Sequence, residues 1–299
     1  MAFLKTLGDR ISSRLRGRRG VDIIIPIYGA PEETRDCVES VLAGASGDWR
    51  LFLVDDASPG KEIRPLLADL ARRDPRIAVH HARENRGFVA SANIGMKRAL
   101  HDRRDSLLLN SDTIVPRAFN ERLANTVYMD SRTSVATPFT NNGTICSIPR
   151  FMEENPLPPG FSPESFDQLV SEASEYKRPE LVTAVGFCMY IRLSALEDIG
   201  LFDEANFGTG YGEENDFCER AKAGGWKIRL CDDLFVFHAG SVSFGDSADR
   251  QRELHNQKIG DMYPHYHEDV QAFIRQNPLA SLHTKIRQRL EVAGRAEHS

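Results

Sequence analysis

Two short apolar runs in this 299-residue chain end abruptly in carboxylates. Residues 51–56 have the sequence LFLVDD, and residues 107–112 have the sequence LLLNSD. Each run suits a buried strand, and open α/β sheets bind their ligands at the carboxyl ends of such strands. Acids brought together there suit a hard divalent cation that bridges to a phosphate-bearing substrate. The repeated pattern therefore predicts a sheet with an acidic ligand site at one edge.

The first 140 residues alternate between strand and helix patterns. The sequence predicts strands at 21–27, 51–56, 77–80 and 107–110, and helices from Pro31, over 61–73, over 88–101 and after Pro116. Such alternation predicts an α/β fold with a mostly parallel sheet and right-handed crossovers. The carboxyl ends of these strands would bring together Tyr28, Asp56, Arg86 and Asp112.

The second half of the chain is less regular. Residues 140–180 are rich in Pro, Asn, Glu and Ser, with a helix pattern only near 165–174. A loop of this length inside a compact domain is usually functional or disordered, so residues 145–180 are predicted to shape an acceptor site or to form a mobile lid. Further on, the sequence predicts a strand over 181–191, a helix over 213–223, strands near 226–231 and 234–237, and helices over 247–293.

Composition limits the class of protein. Hydrophobic residues make up 41% and charged residues 27%, and the net charge of −5 gives no nucleic-acid footprint. The five cysteines form no C-x-x-C pair, which favours a reducing compartment over a disulfide scaffold. The apolar stretch 181–191 is too short to span a bilayer, and no signal-peptide core precedes it. These features predict a cytoplasmic protein.

Residues 1–20 form a separate basic segment. Apolar residues at positions 3, 4, 7, 11 and 15 recur at helical spacing among six Lys and Arg residues. A basic amphipathic helix of this kind can lie on an anionic membrane, here the inner face of the cytoplasmic membrane. The alternatives are a frayed terminus or a helix docked on the protein itself.

Six short motifs follow one another along the chain: IPIY at 25–28, VDDAS at 54–58, ENRGF at 84–88 with Asn93, NSD at 110–112, GEEND at 212–216, and His238. Together they resemble the motifs of family 2 glycosyltransferases, inverting GT-A enzymes that use nucleotide-sugar donors. They cover about residues 20–245. The YGEENDF and HAGSVSF versions most resemble transferases that build bacterial surface polysaccharide of the O-antigen or capsule type. The resemblance implies a Rossmann-like, mostly parallel central sheet flanked by helices. In this chain NSD takes the place of that family's D-x-D motif, and GEEND lies near its E-D motif.

The resemblance implies a donor site for a UDP- or dTDP-sugar. Tyr28 would offer an aromatic face to the base, and Gly87 would allow close backbone approach. Asp112 would hold Mn²⁺ or Mg²⁺ with the diphosphate, water and His238, because Asn110 replaces the first acid of the family motif. The implied nucleotide-binding residues are Pro26, Tyr28, Asp55, Asp56, Arg86, Gly87, Asn93 and Ser111, and the implied metal ligands are Asp112 and His238.

Sugar transfer also needs a base for the acceptor hydroxyl. A cation offsets charge on the leaving diphosphate, while a carboxylate takes the hydroxyl proton. Glu214 matches the second acid of the family's E-D motif best, and Glu213 stays an alternative. Position in the family implies that acceptor or donor-sugar contacts come from Asn141, Asn142, Gly186, Phe187 and Tyr211.

Each of these residues also has an ordinary structural interpretation. Asp112 is also compatible with a helix N-cap or a turn, and the pair Asp55 and Asp56 with the start of a turn. The acids at 213–216 are also typical of a solvated first helical turn, and His238 of a hydrogen-bonded structural histidine. Asn-Asn-Gly at 141–143 is ordinary turn chemistry, and Tyr211 between two glycines is either an acceptor-facing aromatic or a turn residue.

These observations predict three regions: the basic segment 1–20, a GT-A domain over 21–245 and a C-terminal helical extension over 246–299. The domain divides into a nucleotide-binding half, 21–115, and an acceptor half, 116–245. The predicted function is a metal-dependent inverting hexosyl- or deoxyhexosyltransferase acting on a glycan or lipid-linked glycan in surface polysaccharide synthesis.

Two other functions stay open. A sugar-1-phosphate nucleotidyltransferase would carry a glycine-rich basic loop after the first strand, which IYGAPE at 27–32 is not. An inactive nucleotide- or carbohydrate-binding module would not need the acids at 213–216.

Overall fold

The computed structural model describes residues 19–208, 210–240 and 246–296. Its first part confirms the predicted alternation of strands and helices, although β2 begins two residues earlier than predicted, because the buried Trp49 already pairs with Val21. The elements are β1 Val21–Ile27, α1 Pro31–Gly44, β2 Trp49–Asp55, α2 Ile63–Arg73, β3 Ile77–His81, α3 Phe88–His101, β4 Asp105–Leu109, β5 Thr113–Ile114, α4 Phe119–Val127 and β6 Thr133–Phe139.

The second part confirms the helices predicted near 165–174 and 213–223 and the C-terminal helices. A 3₁₀ turn at Thr144–Cys146 comes first. The elements are α5 Pro163–Ala173, β7 Glu180–Leu181, β8 Cys188–Ile191, α6 Leu193–Ile199, α7 Glu204–Phe207, α8 Glu213–Ala223, β9 Lys227–Phe235, β10 Phe237–His238, α9 Asp246–Met262, α10 Tyr266–Gln276 and α11 Ala280–Ala296.

Eight strands form one twisted sheet in the order β3-β2-β1-β4-β8-β6-β9-β7. Strands β1, β2, β3, β4, β6 and β9 run parallel, whereas β7 and β8 run antiparallel to their neighbours. In the register, Ile27 lies opposite Asp55 and Ile24 lies opposite Leu108. Strands β1, β2 and β4 therefore end at the same side of the sheet, which we call the carboxyl edge.

Both faces of the sheet are covered by apolar packing. Ile23 and Ile25 belong to one buried cluster with residues of α1 and α2, while Ile24 belongs to the other with residues of α3. Helix α3 lies directly on β1 because Gly95 has no side chain: a Cβ there would come within 2.3 Å of Ile24 Cγ2. Each buried side chain of this size contributes about 1.5–3 kcal/mol.

The prediction of one continuous strand over 181–191 is wrong, because residues 182–187 are not in the sheet. Strand β7 ends at Leu181 and β8 begins at Cys188. Between them the apolar residues leave the sheet, and Phe187 O accepts a hydrogen bond of 2.8 Å from Asn110 N. This connection therefore reaches the carboxyl edge, which apolar content alone did not reveal.

Residues 163–173 form helix α5, which packs into the core, so this part of 145–180 is not an irregular loop. A role of residues 145–180 in shaping an acceptor site or as a mobile lid stays a prediction. Phe166 and Val170 of α5 are fully buried. Asp167 pairs with Arg122 at 2.7 Å and accepts a hydrogen bond of 2.8 Å from Phe235 N. Buried ion pairs of this kind cost several kcal/mol to break, because one charge is left uncompensated.

The C-terminal helices share the core of the sheet. Ile259, Tyr266, Leu282 and Ile286 are buried in the same cluster as Ile24. A boundary at residue 246 stays a prediction about the chain's organisation. Within the ranges that the structure describes, no helix is long and apolar enough to cross a membrane.

Candidate active site at the carboxyl edge

The acids that end β2 hold the loop that follows β3. Asp56 Oδ1 accepts a hydrogen bond of 2.9 Å from Arg86 N, and its Oδ2 accepts one of 2.7 Å from Gly87 N. Asp55 accepts a hydrogen bond of 2.9 Å from Ser58 N and lies 2.8 Å from His81 Nδ1. Burial raises the pKa of Asp55, but its hydrogen bonds to His81 and Ser58 outweigh it, so the pKa is lowered.

The other predicted nucleotide contacts differ in exposure. Tyr28, which directly follows β1, is 42% exposed, whereas Pro26 is buried in the strand. Arg86 is more than half exposed and forms an ion pair with Glu204 of α7. Ser111 lies partly buried in the turn after β4. Tyr28 and Arg86 are therefore the members of this group most open to a ligand.

A two-stranded ribbon that the sequence did not predict brings Asp112 beside His238. Strands β5 and β10 pair antiparallel, with Thr113 opposite His238. Asp112 O accepts a hydrogen bond of 3.0 Å from Ala239 N. As a result, His238 Nε2 lies 3.4 Å from Asp112 Oδ1 and 3.4 Å from Asn110 Nδ2.

The backbone determines which nitrogen of His238 faces Asp112. His238 Nδ1 lies 3.0 Å from Asn142 O, and a carbonyl can only accept a hydrogen bond. Nδ1 therefore carries the proton, which leaves Nε2 to offer its lone pair or to bind a second proton. Burial lowers the pKa of His238, but the hydrogen bond to Asp112 and its charge outweigh it, so the pKa is raised.

The donor atoms of Asp112 and His238 fit part of a cation site. A hard divalent cation with bonds of about 2.1 Å at right angles needs neighbouring ligands about 3 Å apart. The 3.4 Å between Oδ1 and Nε2 is close to that spacing. Among the described residues, no group of three or more His, Cys, Asp or Glu side chains is placed to hold a metal. A cation here would therefore need further ligands from a diphosphate and water.

Glu213 and Glu214 open helix α8 but have different surroundings. Glu214 is partly exposed, and its Oε2 accepts a hydrogen bond of 3.2 Å from Gly212 N. Glu213 is buried, and its Oε2 has no hydrogen-bond partner in the described part of the chain. Burial raises the pKa of both carboxyls, and the neighbouring charge of Glu214 raises that of Glu213 further.

Gly186 and Phe187 lie between the Asp112 and His238 pair and the glutamates at the start of α8. The Phe187 ring stacks on His238, with centroids 5.1 Å apart and planes at 18°. A Cβ on Gly186 would lie 3.7 Å from the side chain of Glu214. Asp112 and His238 therefore lie beside Phe187, and Glu214 lies near the preceding residue, Gly186.

The loop that Asp56 holds reaches the start of the same helix by another route. Gly87, held by Asp56, precedes α3, and a Cβ on Gly210 would lie 3.8 Å from Phe88 Cβ. Gly210 in turn comes three residues before Glu213, the start of α8. The structure thus links the surroundings of residues 56, 112 and 214 at one edge of the sheet, although their roles in binding and catalysis stay predictions.

Two of the predicted asparagines hold backbone. Asn141 exchanges two hydrogen bonds with the backbone of His238, of 2.8 and 2.9 Å. Asn93 does the same for Phe202, at 3.0 and 3.1 Å, and is buried. Both amides therefore position neighbouring segments, and their contacts with nucleotide or sugar stay predictions.

Sequence reasoning missed one buried histidine near the site. His255 of α9 lies 2.7 Å from Gly210 O and 2.7 Å from Tyr211 O. It stands more than forty positions beyond the turn it contacts, on a helix with many charged residues, so no local motif marked it. Only the spacing of His255, Lys258 and Ile259 on one helical face could have drawn attention to it.

The sheet order, the acids at its carboxyl edge and the glutamate-bearing helix define a GT-A glycosyltransferase fold. Residues 22–200 match the sequence profile described as "Glycosyl transferase family 2". The chain therefore belongs to glycosyl transferase family 2.

Curated relatives share only part of their length with this chain. It is 30% identical over 117 residues to the O-antigen biosynthesis protein RfbC of Myxococcus xanthus, covering 39% of this chain and 9% of that protein. It is 34% identical over 79 residues to the putative teichuronic acid biosynthesis glycosyltransferase TuaG of Bacillus subtilis (strain 168), covering 26% of this chain and 31% of that protein.

Among solved structures, the mannosyltransferase PcManGT from Pyrobaculum calidifontis, in complex with GDP-Man and Mn²⁺, superposes with a TM-score of 0.61. The match covers 93% of this chain and 76% of that one at 15% identity. At this identity the likeness shows the fold.

Proposed function

We propose that the chain is a metal-dependent, inverting glycosyltransferase that moves a sugar from a nucleoside-diphosphate sugar to a hydroxyl of a glycan or lipid-linked glycan. The observation that carries the proposal is that one connection, residues 186–187, lies beside both the Asp112 and His238 pair and the side chain of Glu214. Membership of the family supports the reaction class, and names of the relatives support a role in bacterial surface polysaccharide synthesis.

The Asp112 and His238 pair would hold the diphosphate end of the donor through a divalent cation. A bound Mn²⁺ or Mg²⁺ would offset the charge that develops on the leaving diphosphate. The structure supports this use, because the Asn142 carbonyl keeps the proton on Nδ1 and leaves Nε2 toward Asp112. The Mn²⁺ bound to PcManGT is a further reason to test this cation first.

Glu214 would take the proton of the acceptor hydroxyl. The residue is partly exposed, and its side chain lies near Gly186, where a Cβ would come to 3.7 Å from it. A pKa raised by burial makes it a better proton acceptor than an ordinary glutamate, provided that it is ionised when the acceptor binds. Glu213 is the second candidate, but its burial among protein atoms favours a structural role.

The donor base would stack on Tyr28 beside the loop that Asp56 holds. UDP- and dTDP-sugars are the donors we propose, with GDP-sugars included in the test because PcManGT binds GDP-Man. Arg86 would leave Glu204 to meet the nucleotide, which an exposed ion pair permits because it contributes only about 0–1 kcal/mol.

The experiment is a paired substitution. Nucleoside diphosphate release is measured from a panel of UDP-, dTDP- and GDP-sugars with Mn²⁺ or Mg²⁺, for wild type, Glu214→Gln and Glu213→Gln. We expect Glu214→Gln to lose at least about a hundredfold in turnover, the range of a general base. Its thermal shift with UDP, GDP or dTDP should stay that of the wild type. Near-normal turnover of Glu214→Gln would remove this residue from the role, and loss in Glu213→Gln alone would assign it to Glu213.

The same panel separates the other function classes. A nucleotidyltransferase would form a nucleotide sugar from a nucleoside triphosphate and a sugar phosphate, with pyrophosphate release. A binding module would show thermal shifts with nucleotides but no turnover with any donor. Either result would overturn the proposal.

We also propose that residues 1–20 bring the enzyme to a membrane-bound acceptor. Residues 1–18 lie outside the described residues, so the proposal depends on their sequence pattern alone. Liposome flotation with anionic vesicles, comparing the full chain with a chain lacking residues 1–20, tests it. Equal partitioning of the two would reject it.

A further inference from the structure

One face of helix α9 contacts the segment that leads into α8. His255, Lys258 and Ile259 follow the i, i+3, i+4 spacing that places side chains on one helical face. Lys258 Nζ donates a hydrogen bond of 2.9 Å to Asn206 O. A Cβ on Gly212 would lie 3.4 Å from Ile259 Cγ1. Helix α9 therefore holds the segment 206–212 from one side, and it lies outside the part of the chain that matches the family profile.

The turn at 210–212 has an unusual backbone. Its three residues all have positive φ angles: 95° at Gly210, 67° at Tyr211 and 102° at Gly212. This region is unfavourable for a residue with a Cβ, so Tyr211 is strained. Conformations of this kind persist only where the surrounding structure determines them. The contacts of the turn should therefore decide whether it keeps its shape.

His255 provides those contacts. Its Nδ1 lies 2.7 Å from both Gly210 O and Tyr211 O, and carbonyls only accept, so Nδ1 is the donor. Its Nε2 lies 2.9 Å from Gln251 Nε2, and its ring packs edge-on against Phe207 at 5.4 Å. The ring is buried and contacted on several sides, so its orientation is fixed and Nδ1–H points at the two carbonyl oxygens.

The peptide between Tyr211 and Gly212 joins His255 to Glu214. Its carbonyl oxygen is held by His255 Nδ1, and its N–H donates the 3.2 Å hydrogen bond to Glu214 Oε2. A peptide group is planar, so fixing its C=O also fixes the direction of its N–H. Holding one end of this peptide therefore aims the other end at the carboxylate.

We propose that His255 is a positioning residue for Glu214, acting through the planar 211–212 peptide. The inference rests on the proposed role of Glu214 as the acceptor base. It assigns to the C-terminal extension a part in the chemistry of the site.

The proposal predicts a change in pH dependence as well as in rate. The Gly212 N–H lowers the pKa of Glu214, so losing its alignment should raise that pKa. Other titratable groups around Glu214 are Glu213 and Cys218 of α8 and Tyr266 of α10. Among the described residues, none of these groups forms a hydrogen bond or an ion pair with His255, so removing its ring should act on Glu214 through the turn.

The test compares His255→Ala, His255→Asn and the control His265→Ala, using nucleoside diphosphate release with the donor found above. His265 is exposed and pairs with Glu219 instead of the turn. We expect His255→Ala to lower kcat about tenfold to a hundredfold, the scale of a small misplacement of a catalytic group. The KM for the donor should change less than about twofold, and the acid limb of the kcat profile should move to higher pH.

His255→Asn should recover much of the loss, because an amide N–H can replace the Nδ1 donor. Hydrogen exchange of residues 205–218 should quicken in the alanine variant and stay slow in the asparagine variant and the control. Wild-type kcat and pH profile in a folded His255→Ala enzyme would overturn the inference while leaving the proposed function intact. Parallel loss in both His255 variants, with an unmoved acid limb, would also overturn it. An active Glu214→Gln enzyme would instead overturn the proposed function.

Discussion

His283 should make the folded protein sensitive to acid. Its ring is 1% exposed, in α11, between Phe139 at 6.0 Å and Phe151 at 5.2 Å. Neither ring nitrogen has a hydrogen-bond partner among the described residues. Burial, helped by the charge of Arg287, lowers the pKa of His283 from 6.5 to about 4. The folded protein therefore keeps this ring neutral where the unfolded chain would protonate it.

The size of the effect follows from proton linkage. As pH falls below 6.5 the unfolded chain takes up a proton, but the folded chain does so only near pH 4. The free energy of unfolding therefore falls with pH across this window. For one such histidine, the free energy of unfolding falls by about 2 kcal/mol between pH 7 and pH 5. Each unit by which the pKa differs between the folded and unfolded states corresponds to about 1.4 kcal/mol. Below pH 4 the loss levels off.

The assay is urea unfolding of wild type, His283→Leu and the control His267→Leu at pH 7 and pH 5. Leucine has a similar volume and needs no hydrogen bonds, so it should be neutral or stabilising at pH 7. At pH 5 it should be more stable than wild type by about 2 kcal/mol. The exposed His267 should leave the pH dependence unchanged. Equal pH slopes for wild type and His283→Leu would refute the reasoning.

Two further substitutions test the surroundings of the site. Glu213→Gln should stabilise the protein by about 1–3 kcal/mol at pH 8 and by less at pH 5. The raised pKa of Glu213 means that the folded state holds this proton more tightly, so the free energy of unfolding of the wild type falls as pH rises above 4.5. Thermal melting of wild type and variant at both pH values measures this. An equal difference in melting temperature at pH 5 and pH 8 would contradict it. Asn141→Ala should cost about 2–3 kcal/mol and weaken Mn²⁺ activation, because it removes both hydrogen bonds to the His238 backbone. An unchanged half-saturating Mn²⁺ concentration would separate Asn141 from the metal site.

Local patterns were enough to predict the carboxyl edge. Strands β1, β2 and β4 contain continuous apolar runs, and Tyr28, Asp56 and Asp112 follow directly or closely after their ends. The start of α8 was also predictable, because Gly212 precedes a run of acids that suit a first helical turn. The sequence therefore indicated where the candidate catalytic groups stand along the chain and at which end of the sheet they lie.

Contacts between distant segments were not predictable in the same way. Strands β5 and β10 are two residues each, too short for any period, yet their pairing places His238 beside Asp112. The residues 182–187 are apolar enough for a strand but leave the sheet to meet Asn110 and Glu214. In both cases the deciding force is a tertiary contact, which a window of ten residues does not contain.

The segments at the carboxyl edge are held by one common device. Loops beyond a sheet have no neighbouring strand to pair with, so their backbone groups need other partners. Here Asp56 holds the N–H groups of residues 86 and 87, Asn141 holds the backbone of His238, and His255 holds the carbonyls before α8. These three side chains are buried, while Tyr28, Asp112 and Glu214 are at least partly exposed.

The motifs therefore contain two kinds of polar residue: buried ones that hold loop backbone and partly exposed ones that can meet a ligand. A buried side chain that holds a loop contributes to stability and to site geometry at once, whereas an exposed one is free to meet a ligand. Substitutions at Asp56, Asn141 or His255 should therefore act on the arrangement of the loops at the carboxyl edge. Under the proposed function, those at Asp112 or Glu214 would act on the chemistry at that edge. The C-terminal helices belong to the first group, because His255 joins the carboxyl edge to a part of the chain beyond the family profile.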